Sequence, residues 1–197
     1  MPRPVLATTH ALLVTLALLC LSLPLQANSS GMADEVDQEL RQWLITAVNQ
    51  ADSFDDRFDA EVWLMDMSNR IGRFVKDDRE RLHILRSAHR EATQAGLPPD
   101  LVLSVIHTES LFQRFAISVA GAQGLMQVMS FWKKEIGRPS DNLTDIDTNL
   151  RYGCTILAYY LKRANGNISE ALARYNGSYG KMKYPNKVYS NQVRYQD

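Results

Sequence analysis

Apolar and polar positions along this chain alternate with the period of helices. Apolar residues recur three and four apart through most of it, and no stretch sustains the strict alternation that a half-buried strand needs. Val36, Leu40, Trp43, Leu44, Ala47 and Val48 predict a first helix over residues 35–49, behind a polar lead-in at 28–34. Val62, Trp63, Met67 and Ile71 predict a second over 58–74. Leu82, Leu85, His89 and Ala92 predict a third over 77–95, with Gly96 as its C-terminal cap. Pro98-Pro99-Asp100 opens a fourth, because proline suits a first helical turn, and its apolar spacing carries it to about residue 115. Further helices are expected over 125–136, 148–164 and 168–175. Gly166-Asn167 reads as the turn between the last two, and Ser169 as the cap of the final one. The expected fold class is all-α, without internal repeats.

The N-terminal pattern differs. Arg3 is the sole formal charge in residues 1–27, the run from Ala11 to Leu23 is almost wholly apolar, Pro24 breaks it, and Ala27 offers a small residue for cleavage. That is the pattern of a secretory signal peptide, and the run is short for a membrane span. Leu18-Leu19 before Cys20 do not supply the small residue that a lipoprotein acceptor cysteine requires. Residues 1–27 are therefore expected to be a leader, 28–78 an N-terminal helical extension, and 79–197 the domain that carries function. An exported, periplasmic location follows, with no membrane span in the mature chain.

Composition sharpens this picture modestly. The chain of 197 residues carries 22 Lys+Arg against 22 Asp+Glu. Loss of Arg3 with the leader leaves 21 against 22, so no global charge argues for a nucleic-acid partner. Hydrophobic residues at 45% and charged residues at 22% are ordinary for a globular chain and exclude a wholly disordered one. Cys20 leaves with the leader, and Cys154 alone cannot form an internal disulfide. Cys154 shares a helix face with Leu150, Leu157 and Leu161, so it is expected in the core rather than in redox chemistry. His83, His89 and His107 lack metal-ligand spacing, and there is no glycine-rich phosphate loop, so neither a metal nor a cofactor is expected.

The helix from Pro99 holds the informative residue. On a wheel of about 100° per residue, Leu101, Val102, Val105, Ile106 and Phe112 fall on one arc with Glu109 in its middle. An ionised carboxylate is costly to bury unless paired, so burial would raise its pKa and let it hold a proton near neutrality. A protonated carboxyl is what cleavage of a glycosidic bond needs at the leaving oxygen. A buried arginine partner, or a helix turned so that Glu109 meets water, are the ordinary structural alternatives. Asp145 and Asp147 precede a helix, where capping is the expected work.

Two further segments add to Glu109. Residues 118–129 form a glycine-punctuated turn, in which Gly121 and Gly124 permit left-handed backbone or close approach. Tyr175-Asn176-Gly177 closes a helix with an aromatic ring and an amide, groups that suit sugars. In this order and spacing, Glu109-Ser110, Gly124-Leu125-Met126-Gln127, Tyr175-Asn176 and the Tyr184-to-Val188 element resemble the soluble-type lytic transglycosylases of bacterial cell walls, relatives of goose-type lysozyme. The resemblance covers roughly residues 80–190.

The resemblance implies a lysozyme-like helical domain that cleaves the β-1,4 bond between N-acetylmuramic acid and N-acetylglucosamine in peptidoglycan, without water, leaving a 1,6-anhydro ring. It implies Glu109 as the single acid and base, Ser110 as a group that positions the N-acetyl substituent, and Gly124, Leu125, Met126 and Gln127 along the cleft. It also implies Tyr175 and Asn176 at the reacting sugar, and Tyr184 close to the acid. Ser130 stands where that family often has proline, and Tyr-Asn-Gly-Ser where it often has Tyr-Asn-Ala-Gly, which bears on loop shape. A goose-type hydrolase and a non-catalytic glycan-binding scaffold are the alternatives.

Overall fold

The computed structural model describes residues 53, 54 and 56–196. The leader, Cys20 and the helix expected over 35–49 lie outside the described residues. Among those residues the secondary structure is helical, broken only by two isolated bridges, Ile117 with Gln123 and Gln123 with Val128.

Helix α1 (Arg57–Ile71) starts at Asp56, whose carboxylate accepts from the Phe58 and Asp59 backbone N–H groups, two donors that the helix itself cannot satisfy. Ala60, Leu64, Met67 and Ile71 are buried at the 3.6-residue spacing. Helix α2 (Asp78–Gln94) is capped by Asp77 through the Glu80 N–H. It ends at Gly96, which adopts φ +66° while the Leu97 N–H reaches back to the Ala92 carbonyl.

Helix α3 (Pro99–Ser110) is the central element and packs on α2 and on the last helix. Its burial is not the single arc expected from the sequence. Leu101 through Thr108 are all buried, polar Ser104 and His107 included, and Glu109 is the one residue of the last two turns left half-buried. The helix also stops earlier than the apolar spacing predicts. Leu111 and Phe112 both take left-handed backbone conformations, φ 52° and 64°, and end it at Ser110.

The helix expected over 125–136 is mostly loop, and only α4 (Trp132–Ile136) forms. Asn149 explains why. Its side chain is fully buried, accepts from the Met126 N–H at 2.8 Å, and donates to the Gln123 and Leu143 carbonyls at 2.8 and 2.7 Å. The amide thus replaces helical partners with better-placed ones and holds the loop open. Gly124 passes so close that a side-chain carbon there would lie 2.3 Å from the Leu143 carbonyl oxygen, at a φ of +75°.

Helix α5 (Ile146–Arg163) begins at Asp145, which caps the Thr148 N–H as expected. Asp147 does not cap; it pairs with α2 residues. Cys154 is buried on α5 as expected. Helix α6 (Ile168–Tyr175) is capped by Asn167 rather than by Ser169, whose hydroxyl instead meets that of Tyr189 at 2.8 Å. Helix α7 (Lys183–Gln192) is absent from the sequence expectation, and it carries Pro185. That proline sits in the first turn, where its missing N–H would have had no partner.

The C-terminal tail is tied back to α1. Arg70 donates to the Arg194 and Gln196 carbonyls at 2.9 and 3.0 Å, and Tyr195 is buried against His107, with its hydroxyl 2.8 Å from Nδ1. Phe74 and Phe112 complete this aromatic cluster, their ring centroids 4.8 and 6.0 Å from that of His107.

Candidate active site

The C-terminal end of α3, the loop 111–127 and one face of α7 surround a cleft of about 520 Å³. Glu109 is the carboxylate in its lining, beside Ser110, Leu111, Gln127, Lys187 and Asn191. The Tyr184 hydroxyl donates to Glu109 Oε1 at 2.6 Å. Burial pushes the Glu109 carboxyl above its ordinary range; the Tyr184 hydrogen bond and the Lys187 charge oppose that shift without cancelling it. Of the two structural alternatives weighed above, arginine pairing gives way to a tyrosine partner, and exposure gives way to a half-buried position facing a cleft.

Ser110 is buried, with Oγ 2.8 Å from the Leu125 carbonyl and 3.1 Å from that of Ile106. A hydroxyl has one proton, so it is engaged within the protein and pins the loop to the end of α3. Gln127, itself left-handed at φ 50°, donates from Nε2 to the Ala116 and Gly124 carbonyls and keeps its place in the lining. The Leu125 and Met126 side chains are fully buried beneath the cleft, and Met126 fills the space that a side chain at Gly153 would take. Tyr175 donates to the Met126 carbonyl at 2.7 Å, so it supports the loop from below. Burial, and then the Glu109 charge, hold the Tyr175 hydroxyl well above its ordinary pKa. Asn176 is exposed at the end of α6, outside the lining.

The structure therefore brings Glu109, Ser110 and Gln127 to one cleft, places buried Tyr184 behind Glu109 and Gly124, Leu125, Met126 and Tyr175 in the support of the cleft, and leaves Asn176 on the surface nearby in the chain. Sequence reasoning missed Lys187 and Asn191. Lys187 donates to the Thr108 carbonyl at 3.2 Å and Asn191 to the Thr108 hydroxyl at 3.0 Å. With Tyr184 they stand three, four and seven residues apart on α7, a spacing that marks one helix face. Among the described residues, no group of three or more His, Cys, Asp or Glu is placed to hold a metal ion. No helix among them is long and apolar enough to cross a membrane.

Residues 86–196 match the family described as Transglycosylase SLT domain. A transglycosylase of Enterobacteria phage PRD1 is 34% identical over 107 residues, which is 51% of this chain and 39% of that protein. The membrane-bound lytic murein transglycosylase C of Yersinia pestis (strain Pestoides F) is 29% identical over 121 residues, 53% of this chain and 34% of that one. The chain thus spans little more than a third of the length of these relatives. A solved structure of an inactive mutant of the lytic transglycosylase Slt from Pseudomonas aeruginosa is 26% identical, with a TM-score of 0.46, over 60% of this chain and 22% of that one. The family match begins within α2, runs to the end of the C-terminal tail and includes every wall of the cleft: this chain belongs to the Transglycosylase SLT domain family.

Proposed function

We propose that the chain is a peptidoglycan lytic transglycosylase that works in the bacterial envelope, exported by residues 1–27. The observation that carries this reading is the state of Glu109. It is the carboxylate of the cleft lining, its pKa is raised by burial, and one hydroxyl holds it in place. Such a group holds its proton to higher pH than an exposed glutamate, and can give it to an oxygen in the cleft and take one back later.

In the first step Glu109 protonates the glycosidic oxygen between N-acetylmuramic acid and N-acetylglucosamine. The C1–O bond breaks as the acetamido oxygen of the muramic acid bonds to C1, which supplies the stabilisation that a second carboxylate gives in other glycosidases. In the second step the Glu109 carboxylate takes the proton of the C6 hydroxyl. O6 bonds to C1, the acetamido oxygen leaves, and a 1,6-anhydro ring results. Tyr184 and Lys187 both favour the ionised carboxylate that the second step requires, whereas burial favours the acid of the first.

Ser110 has a defined part in this reading. Its proton is engaged with the Leu125 and Ile106 carbonyls, so it offers the substrate a lone pair, which matches the N–H of the acetamido group. Mass spectrometry of muropeptides released by the chain tests the reading. The expected products are lighter by one water than hydrolysed ones. Hydrolysed products would make the protein a lysozyme-like hydrolase, and binding without release would make it a scaffold.

A further inference from the structure

Leu111 and Phe112 are consecutive residues in the left-handed region, where a leucine or phenylalanine side chain crowds its own backbone and glycine does not. The two differ in what offsets that cost. Phe112 is 1% exposed and lies in the aromatic cluster with Phe74, His107 and Tyr195, so its burial compensates. Leu111 is 49% exposed and is absent from the core. It is the C-terminal cap of α3, the position where helices most often place glycine. Neither packing nor backbone preference accounts for a leucine there.

Its location does. Leu111 stands two residues after Glu109 in the cleft lining, where Ala116 and Ile117 add further apolar surface. Strained residues persist where function uses them. Resting on the reading of the cleft as a peptidoglycan site, we infer that Leu111 is a substrate-contact residue: its side chain receives the apolar C–H face of a sugar ring next to the bond that Glu109 cleaves.

The test exploits opposite signs. Dissociation constants for soluble peptidoglycan strands are measured in the Glu109→Gln background, so that no turnover intervenes, with and without Leu111→Gly. Thermal melting is measured on the same proteins. Leu111→Gly is expected to weaken binding about fivefold, by loss of apolar contact, while raising Tm by about 2 °C through relief of the left-handed strain. Leu111→Met keeps both the strain and an apolar chain, and is expected to match the parent in both readouts. An unchanged dissociation constant in Leu111→Gly, or a lowered Tm, overturns the assignment. Strands that bind the Glu109→Gln protein but are not cleaved by the unmutated enzyme would defeat the proposed activity and leave the Leu111 contact standing.

Discussion

Glu109 and Asp147 are both half-buried carboxylates next to helical backbone, yet their surroundings drive them in opposite directions. Glu109 has one hydroxyl, from Tyr184, and a raised pKa. Asp147, at the start of α5, is also pushed up by burial. Hydrogen bonds from Ser87 at 2.5 Å, Arg90 at 2.9 Å and His83 at 2.9 Å outweigh that and hold it well below the usual carboxylate range. The difference is one of partner number. A carboxylate surrounded by donors from α2 is fixed as an anion and fastens two helices; a carboxylate given a single donor beside an open cleft remains free to exchange a proton. Perturbed pKa values alone would mark both residues, and the direction of the shift separates the proposed acid from the structural one.

The largest effect that would break this contrast is at Glu109. Glu109→Gln is expected to reduce release of anhydromuropeptides at least 10²-fold, on the scale of a lost general acid. The folded carboxyl keeps its proton to higher pH than it would unfolded, so its contribution to stability is lost as pH rises through the folded pKa. The glutamine removes that loss. Tm at pH 8 should therefore rise relative to the parent; a fall would mean that the carboxylate is structural.

Asp147→Asn should act in the other direction. Its lowered pKa contributes stability above the ordinary aspartate range, lost as pH falls through that range toward the folded value. With the side chain 45% exposed, screening limits the cost to about 1 kcal/mol near neutrality, read from urea denaturation, with the two proteins converging in acid. Peptidoglycan cleavage at 25 °C should be unaffected.

Tyr184→Phe is the smallest change and sharpens the comparison most. It removes the single hydrogen bond that lowers the Glu109 pKa, so the basic limb of the rate–pH profile should move to higher pH, with a loss of activity of about fivefold. An unshifted limb would mean that Glu109 does not limit that side of the profile.

Much of this architecture was legible in the order of residues. Capping acids such as Asp145, the buried Cys154 and the isolation of Glu109 are local patterns, readable at helical spacing. What escaped depends on distant partners. The loop at 124–127 is held by Asn149 from another helix, and nothing near Met126 announces that its N–H has a side-chain acceptor waiting. The early stop of α3 has no glycine or proline to mark it, since a leucine and a phenylalanine take the left-handed conformation there. Helix α7, and with it Lys187 and Asn191, has low apolar content and a proline in its first turn, where the missing N–H costs nothing, and Lys187 and Asn191 reach the cleft only through its packing on α3.

The Arg70 bridge to the tail joins residues on both sides of the border of the family match. The family match starts at residue 86, partway along α2. A fragment trimmed to that border would keep all the proposed site residues, but it would lose Phe74 and Arg70. Phe112 and His107 would then be uncovered, and the carbonyls of Arg194 and Gln196 left without their guanidinium. A piece that keeps these contacts must therefore extend back through Phe74 to Arg70 on α1, well before the border of the family match.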